Sequence, residues 1–183
     1  MLKAKETFQT SFKEFSSTRN LVICGLMAAL AIVLGFVASI DIGPYIRIGF
    51  SGIPNRIIEF LFGPIVGTIF GGTLDILKFL IKPSGTFFFG FTFDAMLAGF
   101  LYGMFFYKKP ISIPRILLAE FVVKLIVNCF FNTLWISILY GKGFFVILPL
   151  RLLKNLIMWP IDSAIVYFSF RLVNRMKVHL HLS

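Results

Sequence analysis

Long apolar stretches, separated by short polar or Gly/Pro-rich segments, divide the chain into six candidate membrane spans. The stretches cover residues 21–40, 53–63, 64–81, 91–107, 114–140 and 146–170. A helix needs roughly 20 residues to cross the hydrocarbon core, so the stretch at 53–63, which Gly63-Pro64 ends, is short. Such a short or broken helix is tolerated only against protein or a cavity. The pattern therefore predicts a single domain over residues 1–183, an all-α membrane protein built as a six-helix transmembrane bundle with irregular outer loops.

The first 19 residues have a different pattern, with mixed charges and three phenylalanines, Phe8, Phe12 and Phe15, at helical spacing. This spacing predicts a short amphipathic helix on the membrane surface. The apolar run that follows has no Ala-x-Ala cleavage pattern, which favours a retained span over a signal peptide.

The composition agrees with a protein embedded in a lipid bilayer. Of its 183 residues, 58% are hydrophobic and only 14% are charged, whereas soluble domains are roughly one-quarter charged. The net charge of +10 does not indicate a nucleic-acid partner, because no basic tract with interleaved aromatic residues is present.

The basic residues instead predict an orientation. With six spans both termini lie on one side, and ten of the 18 lysines and arginines fall there. They are Lys3, Lys5, Lys13, Arg19, Lys108, Lys109, Arg115, Arg171, Arg175 and Lys177. The excess of positive charge in cytoplasmic segments then places both termini in the cytoplasm.

A polar stripe runs along the last span, within residues 148–162 (LPLRLLKNLIMWPID). At helical spacing Arg151, Lys154, Asn155 and Asp162 share one face. A charge near the bilayer centre costs about 2.5–3.5 kcal/mol, so this face is expected to meet protein or a water-filled cavity and is a candidate functional site. By depth, Arg151, Lys154 and Asn155 lie in the outer half and Asp162 lies deeper.

Further polar residues are predicted at neighbouring positions. The fifth span carries Glu120, Lys124, Asn128 and Asn132 in steps of four, with Trp135 near the same face. Asp94 lies near the start of the fourth span. The polar residues converge on the outer half, which indicates a pocket open to the outside rather than a polar path across the membrane.

The two outer loops lie above this predicted pocket. Residues 41–54 contain Arg47, and residues 82–93 contain a dense run of phenylalanines that includes Phe87 and Phe89. These rings either face lipid or form an aromatic lid. Cations, amides and aromatic rings together suit a flat heteroaromatic acid, because cations bind carboxylates and rings stack.

Small residues mark the first span, among them Gly25, Ala28, Ala29 and Ala31. Small residues four apart let helix backbones approach closely. The sequence leaves open whether this face packs inside the chain or docks to another membrane subunit.

No catalytic or metal-binding constellation is found. His179 and His181 lie in the terminal tail, and Gly141-Lys142 is followed by Gly143, so no phosphate-binding G-x-x-x-x-G-K-[ST] motif is present. We therefore expect neither an enzyme nor a resident cofactor, and energy for any uptake would come from a partner or an ion gradient.

Three features together resemble the substrate-binding S component of energy-coupling factor (ECF) vitamin transporters. They are the small-residue first span, the segment IPNRIIEFLFGPIVGTIFGGTLD at residues 53–75 with the loop at 82–93, and LPLRLLKNLIMWPID. The resemblance covers nearly the whole chain. The Gly and Pro pattern at residues 63–75 is shared across vitamin types, whereas the last segment is most similar to the folate-specific branch.

The resemblance implies a multi-pass protein of a prokaryotic cell membrane that captures folate, or a related pterin, from outside. It also implies a transmembrane coupling subunit, contacted through Gly25, Ala28, Ala29 and Ala31, and two ATPase subunits that use ATP. Arg151 and Lys154 would bind carboxylates or ring oxygens, while Asn155, Asn128 and Asp94 would contact the pterin and Trp135 would stack. Lys124, Arg47, Phe87 and Phe89 complete the expected site.

Other hypotheses remain open at this stage. The ligand of an S component could be riboflavin, thiamine or a queuosine precursor. A membrane enzyme would need a nucleophile, metal or paired-acid site, and a channel would need a polar lining through the inner half, where the spans offer mostly Gly, Ala and Phe.

Overall fold

The fold is almost entirely helical. A computed structural model describes the backbone of residues 2–37, 39–42, 46–83 and 85–179, and the side chains of residues 6–37, 49–83 and 85–176. The elements in chain order are α1 (Leu2–Phe15), α2 (Thr18–Val37), β1 (Ser39–Ile42), β2 (Ile46–Gly49), α3 (Gly52–Ile81), α4 (Phe89–Phe106), α5 (Ile113–Val123), a π-helical segment (Lys124–Phe131), α6 (Asn132–Tyr140) and α7 (Phe144–His179).

The predicted all-α membrane bundle is confirmed. Within the described residues five helices are long and apolar enough to cross a membrane, with α5, the π-helical segment and α6 forming one of them. The first outer loop also contains a short antiparallel hairpin, in which Ser39 pairs with Gly49 and Ile42 with Ile46.

The helix α3 folds back on itself at Gly63. Its backbone there is non-helical, with φ 87° and ψ −168°, and Pro64 follows. A methyl group on Gly35 of α2 would lie 3.4 Å from Ser51 Cβ and 3.7 Å from Lys78 Cε, so the two ends of α3 approach the same point. A straight helix of 30 residues would separate its ends by about 45 Å. The two arms of α3 therefore supply two of the six segments of the bundle.

Glycines allow the second arm of α3 to cross α4 in close contact. A Cβ at Gly71 would lie 2.5 Å from the carbonyl oxygen of Ala95, and one at Gly67 would lie 2.9 Å from that of Gly99. The residues of this crossing are buried or nearly so, and α3 and α4 form the most extensive helix pair of the described structure. This crossing fixes the wall on which the polar residues of α4 stand.

The amphipathic helix α1 packs against the turn of α3. Ser11 is fully buried there, while the neighbouring Phe12 is 62% exposed. The ring of Phe8 stacks on Phe100 of α4 at 5.9 Å between centroids. The helix thus has one face on the protein and one apolar face that is free to meet the membrane.

Candidate ligand-binding site

A cavity of about 150 Å³ lies between the start of α3, the α5 region and α7. Four of the expected site residues line it, namely Lys124, Asn128, Lys154 and Asn155. The rest of its wall comes from Gly49, Phe50, Gly52, Ile53, Arg56, Tyr102, Glu120, Met158, Asp162, Ile165 and Val166. Since Gly49 at the end of β2 and the start of α3 border the cavity, it lies next to the β1–β2 hairpin.

A chain of ion pairs forms the polar floor of this cavity. Arg56 on α3 contacts Glu120 on α5 at 3.3 Å and Glu59 at 3.6 Å. Lys124 donates to Asp162 on α7 at 2.5 Å and lies 3.9 Å from Glu120. These contacts tie three helices together and pair five of the charges that the sequence places inside apolar stretches.

Tyr102 on α4 holds two members of this network. The guanidinium carbon of Arg56 lies 3.4 Å from the centroid of its ring, and its hydroxyl donates to Glu120 at 2.8 Å. Neither Arg56, Tyr102 nor Glu120 was among the expected site residues. Arg56 and Glu120 were visible in the sequence as charges within spans, but Tyr102 has no polar neighbour in its own helix that would single it out.

The π-helical segment keeps the polar stripe of the fifth span aligned. In an α-helix of 3.6 residues per turn, residues four apart drift steadily around the axis. A π-helix bonds residue i to residue i+5, so each turn holds more than four residues. A step of four residues is then less than one full turn, and the drift runs in the opposite direction. The opposite drifts offset each other over residues 120–132. Lys124 consequently reaches Asp162 on α7, while Asn132 reaches Asp94 on α4.

Arg151 and Asn155 carry buried polar atoms that lack a partner. Arg151 is 8% exposed, and its Nε and Nη1 atoms make no hydrogen bond within the described structure. Asn155 donates to the sulfur of Cys129 at 3.3 Å, but its Oδ1 likewise has no partner there. Leaving such groups unsatisfied costs about 1–3 kcal/mol each, and more for charged groups. Asn155 lines the 150 Å³ cavity and Arg151 does not, so only a ligand that extends past the cavity wall would reach both groups.

A second polar cluster is centred on Asp94. Its carboxylate accepts from Trp135 Nε1 at 3.0 Å and from Asn132 Nδ2 at 3.1 Å. It also lies close enough to Arg151 for an electrostatic interaction. The cluster does not border the 150 Å³ cavity, so the expected residues are divided between the cavity wall and this adjoining group.

The aromatic loop contributes a different ring from those expected. Phe88 lies against Trp135, with centroids 5.6 Å apart. Phe87 instead pairs with Phe79 on α3 at 5.1 Å, and Phe89 is 65% exposed. The side chain of Arg47 lies outside the described residues, although its backbone belongs to β2.

The small residues of α2 fall on two different faces. Ala31 is completely buried in the core of the chain and Ala28 packs against that core, in a cluster with Ile58 and Val66. Gly25 and Ala29 are exposed, and a Cβ at Gly25 would meet nothing within 4 Å. Ala31 therefore packs inside the chain. Of these four small residues, only Gly25 and Ala29 are exposed for contact with another subunit.

Comparison with known proteins identifies relatives over most of the chain. Residues 19–170 match the family described as "ECF transporter, substrate-specific component". A protein of Clostridium novyi named folate transporter FolT is 39% identical over 158 residues, which are 86% of this chain and 91% of the relative. A folate transporter FolT of Leuconostoc mesenteroides is 30% identical, covering 82% of this chain and 84% of its own length.

The fold has a solved counterpart as well. A crystal structure of FolT bound with folic acid superposes with a TM-score of 0.78 at 31% identity, over 83% of this chain and 92% of that one. The membership expected from residues 53–75 and 148–162 is thus confirmed by sequence and by fold. This chain belongs to the substrate-specific components of ECF transporters.

Proposed function

We propose that this chain is the folate-binding membrane subunit of an ECF-type importer. It captures folate, or a closely related pterin, from outside, and releases it inward together with a coupling subunit and two ATPase subunits. The named folate transporters and the folic-acid-bound structure to which the chain is similar support this choice among vitamins. They also favour it over riboflavin, thiamine, a channel or an enzyme.

The observation that carries the proposal is the buried guanidinium of Arg151, whose Nε and Nη1 have no partner in the described structure. A buried cation of this kind needs a counter-charge with hydrogen-bonding lone pairs. Carboxylates fit a guanidinium by charge-assisted, often bidentate hydrogen bonds. Folate carries two carboxylates on its glutamate. Lys154, which lines the cavity one turn along the same helix, adds a second cation.

The remaining polar groups suit the flat end of the ligand. Asn128 and Asn155 line the cavity and can read the donor and acceptor edge of a pterin. Asp94 and Trp135 lie outside the cavity wall, where Asp94 would offer a carboxylate and Trp135 a ring for stacking. The cavity of about 150 Å³ is smaller than the roughly 300–1,000 Å³ of usual ligand pockets, so folate must also occupy the space towards Asp94 and the loop at residues 82–88.

The proposal is tested by folate binding to the purified protein. The double variant Arg151→Ala with Lys154→Ala should weaken binding well over tenfold, because truncating one partner of a buried charge pair costs about 2–5 kcal/mol. The matched control, Lys108→Ala with Lys109→Ala, removes the same charge at the other end of the bundle and should leave affinity unchanged. Unchanged affinity in a folded Arg151/Lys154 variant would refute the site.

Ligand identity is tested separately. Mass spectrometry of the ligand that co-purifies in mild detergent should detect folate or a reduced form of it. Riboflavin and thiamine at the same concentration should not compete with folate. Recovery of another vitamin, with no folate binding, would assign the chain to a different substrate.

The orientation is part of the same proposal. Both termini and the loop at residues 107–112 are assigned to the cytoplasm, since seven basic residues with described side chains gather at that end: Lys13, Arg19, Lys108, Lys109, Arg115, Arg171 and Arg175. In a variant lacking Cys24 and Cys129, a cysteine at position 142 should react with an impermeant maleimide in intact cells, and one at position 109 should not. The reverse labelling would overturn the assignment.

A further inference from the structure

The fold-back of α3 creates a problem of backbone hydrogen bonding inside the protein. The first arm ends at Phe62, so the carbonyl groups of its last turn receive no hydrogen bond from a following helical turn. The N–H groups of the first turn of the second arm likewise have no preceding helical carbonyl to donate to. Pro64 contributes no N–H at all. Gly63 and Pro64 are buried, and buried backbone groups without a hydrogen-bond partner destabilise the fold.

Ser11 of α1 meets both needs with one hydroxyl. Its Oγ donates to the carbonyl oxygen of Phe62 at 2.6 Å and accepts from the N–H groups of Ile65 at 3.1 Å and Val66 at 3.4 Å. The residue is 0% exposed. It therefore acts as the N-cap of the second arm, although a usual N-cap side chain belongs to the residue directly before the helix. The residue just before Pro64 is Gly63, which has no side chain to do this.

The turn leaves little room for any other arrangement. A Cβ at Gly63 would lie 2.8 Å from the Tyr107 ring and 3.0 Å from Ser11 Oγ, and its φ of 87° lies in the region that favours glycine. Tyr107 in turn donates to Glu14 of α1 at 3.4 Å, and Asn20 of α2 donates to the Glu14 carboxylate at 2.8 Å. Through these contacts α1 joins the start of α2, the turn within α3 and the end of α4.

The first arm of α3 also reaches the candidate site. Arg56 lies less than two turns before Phe62, lines the cavity and contacts Glu120 at 3.3 Å. A change in the angle between the two arms at Gly63 would move Arg56 relative to Glu120 and Tyr102. The second arm is held independently, because its glycines Gly67 and Gly71 lie directly on the α4 backbone.

We propose that Ser11 is a positioning residue for ligand binding: by capping the turn at Gly63 from outside α3, it fixes the angle of the first arm and hence the cavity floor. The helix α1 then works as a clamp at the end of the bundle opposite the ligand. The expected effect of Ser11 on folate affinity rests on the proposed function. Its expected effect on the structure of the first arm of α3 does not.

The test compares Ser11→Ala with Ser16→Ala, an exposed serine just after α1, by hydrogen–deuterium exchange and by folate binding. In Ser11→Ala, exchange of peptides covering residues 52–62 and 65–66 should rise at least about tenfold, and exchange of residues 70–81 should not change. Folate affinity should fall several-fold through faster dissociation, although no cavity residue has been altered. Ser16→Ala should match the unmodified protein in both measurements.

A second variant separates positioning from general destabilisation. Ser11→Cys keeps nearly the same volume but offers only a weak donor and acceptor. Its hydrogen–deuterium exchange and its folate affinity should therefore lie between those of the unmodified protein and those of Ser11→Ala. A uniform rise in exchange over both arms, or local exchange with unchanged affinity, would overturn the proposal. If the unmodified protein does not bind folate, the proposed function fails, and the exchange pattern across the two arms still decides the role of Ser11.

Discussion

Trp135 on α6 donates its indole N–H to the carboxylate of Asp94 on α4, at 3.0 Å across 41 residues of sequence. Asn132 donates to the other oxygen of the same carboxylate at 3.1 Å. The two bonds orient Asp94 and leave each of its oxygens with a lone pair that these residues do not use. Trp135 also lies against Phe88, so it connects the carboxylate to the aromatic loop.

Replacing Trp135 with Phe should therefore weaken ligand binding by about tenfold to one-hundredfold, because a hydrogen bond to a charged group contributes about 1.5–3 kcal/mol. The chain has a second tryptophan that provides a control. Trp159 donates to the carbonyl of Leu117 at 2.8 Å, outside the cavity wall. Trp159→Phe loses an equivalent bond and should retain the affinity. Equal losses in titrations of both variants would show that Trp135 has no special place in the site.

The pair of Lys124 and Asp162 is expected to stabilise the fold more than to bind the ligand. Lys124→Met should lower the free energy of unfolding by about 2 kcal/mol, less than the roughly 3–5 kcal/mol typical of a buried pair, because the Asp162 side chain is 32% exposed. Adding Asp162→Leu removes the second charge and should recover most of the loss. Unfolding of the single and double variants in detergent measures the difference, and an additive loss would contradict it.

Adding a methyl group should lower the unfolding temperature at one glycine of the chain and leave it unchanged at another. Gly99→Ala would place a Cβ against the carbonyl group of Gly67 and should lower the unfolding temperature markedly. Gly25→Ala meets nothing within 4 Å and should not.

A larger side chain at Gly25 tests the outward face of α2. Gly25→Trp should leave folate binding intact and reduce co-purification with the coupling subunit, since that face is open in this chain. Ala31→Trp is the contrasting variant, because Ala31 is completely buried and the change should impair folding. Normal assembly of the Gly25→Trp protein would show that the coupling subunit binds elsewhere.

Tyr107 predicts a dependence of stability on pH. Burial, together with the neighbouring Glu14 carboxylate, raises the pKa of Tyr107 to about 12, compared with about 10 in an unfolded chain. Between these values the folded state binds more protons at Tyr107 than the unfolded state, so the stability contributed by this residue is fully present below about pH 10 and is lost as pH rises towards 12. Tyr107→Phe should reduce this fall in unfolding measurements across that range. An identical profile in both proteins would contradict the assignment.

The sequence predicts polar candidates for the site because membrane spans penalise polar residues strongly. Every charge inside an apolar stretch needs a partner or a cavity, which singled out Lys124, Arg151 and Lys154 directly. The sequence offers no comparable reason to choose among the aromatic residues of the loop. Phe87, Phe88 and Phe89 are equivalent in the sequence, since their energy in lipid or in protein is similar. In the structure Phe88 packs against Trp135 and Phe89 is exposed. This difference between the rings depends on how the loop enters α4.

By itself the sequence determined the class of protein and the helix faces that carry polar or small residues, because periodicity fixes each side chain relative to its own helix axis. Only the tertiary structure decided which faces meet. It stacked Arg56 on Tyr102, buried Ala31 while leaving Gly25 open, and brought Ser11 to a turn more than 50 residues away. These contacts depend on the angles at which helices pack and fold back, and an angle such as that at Gly63 is set by the close fit of several segments at once.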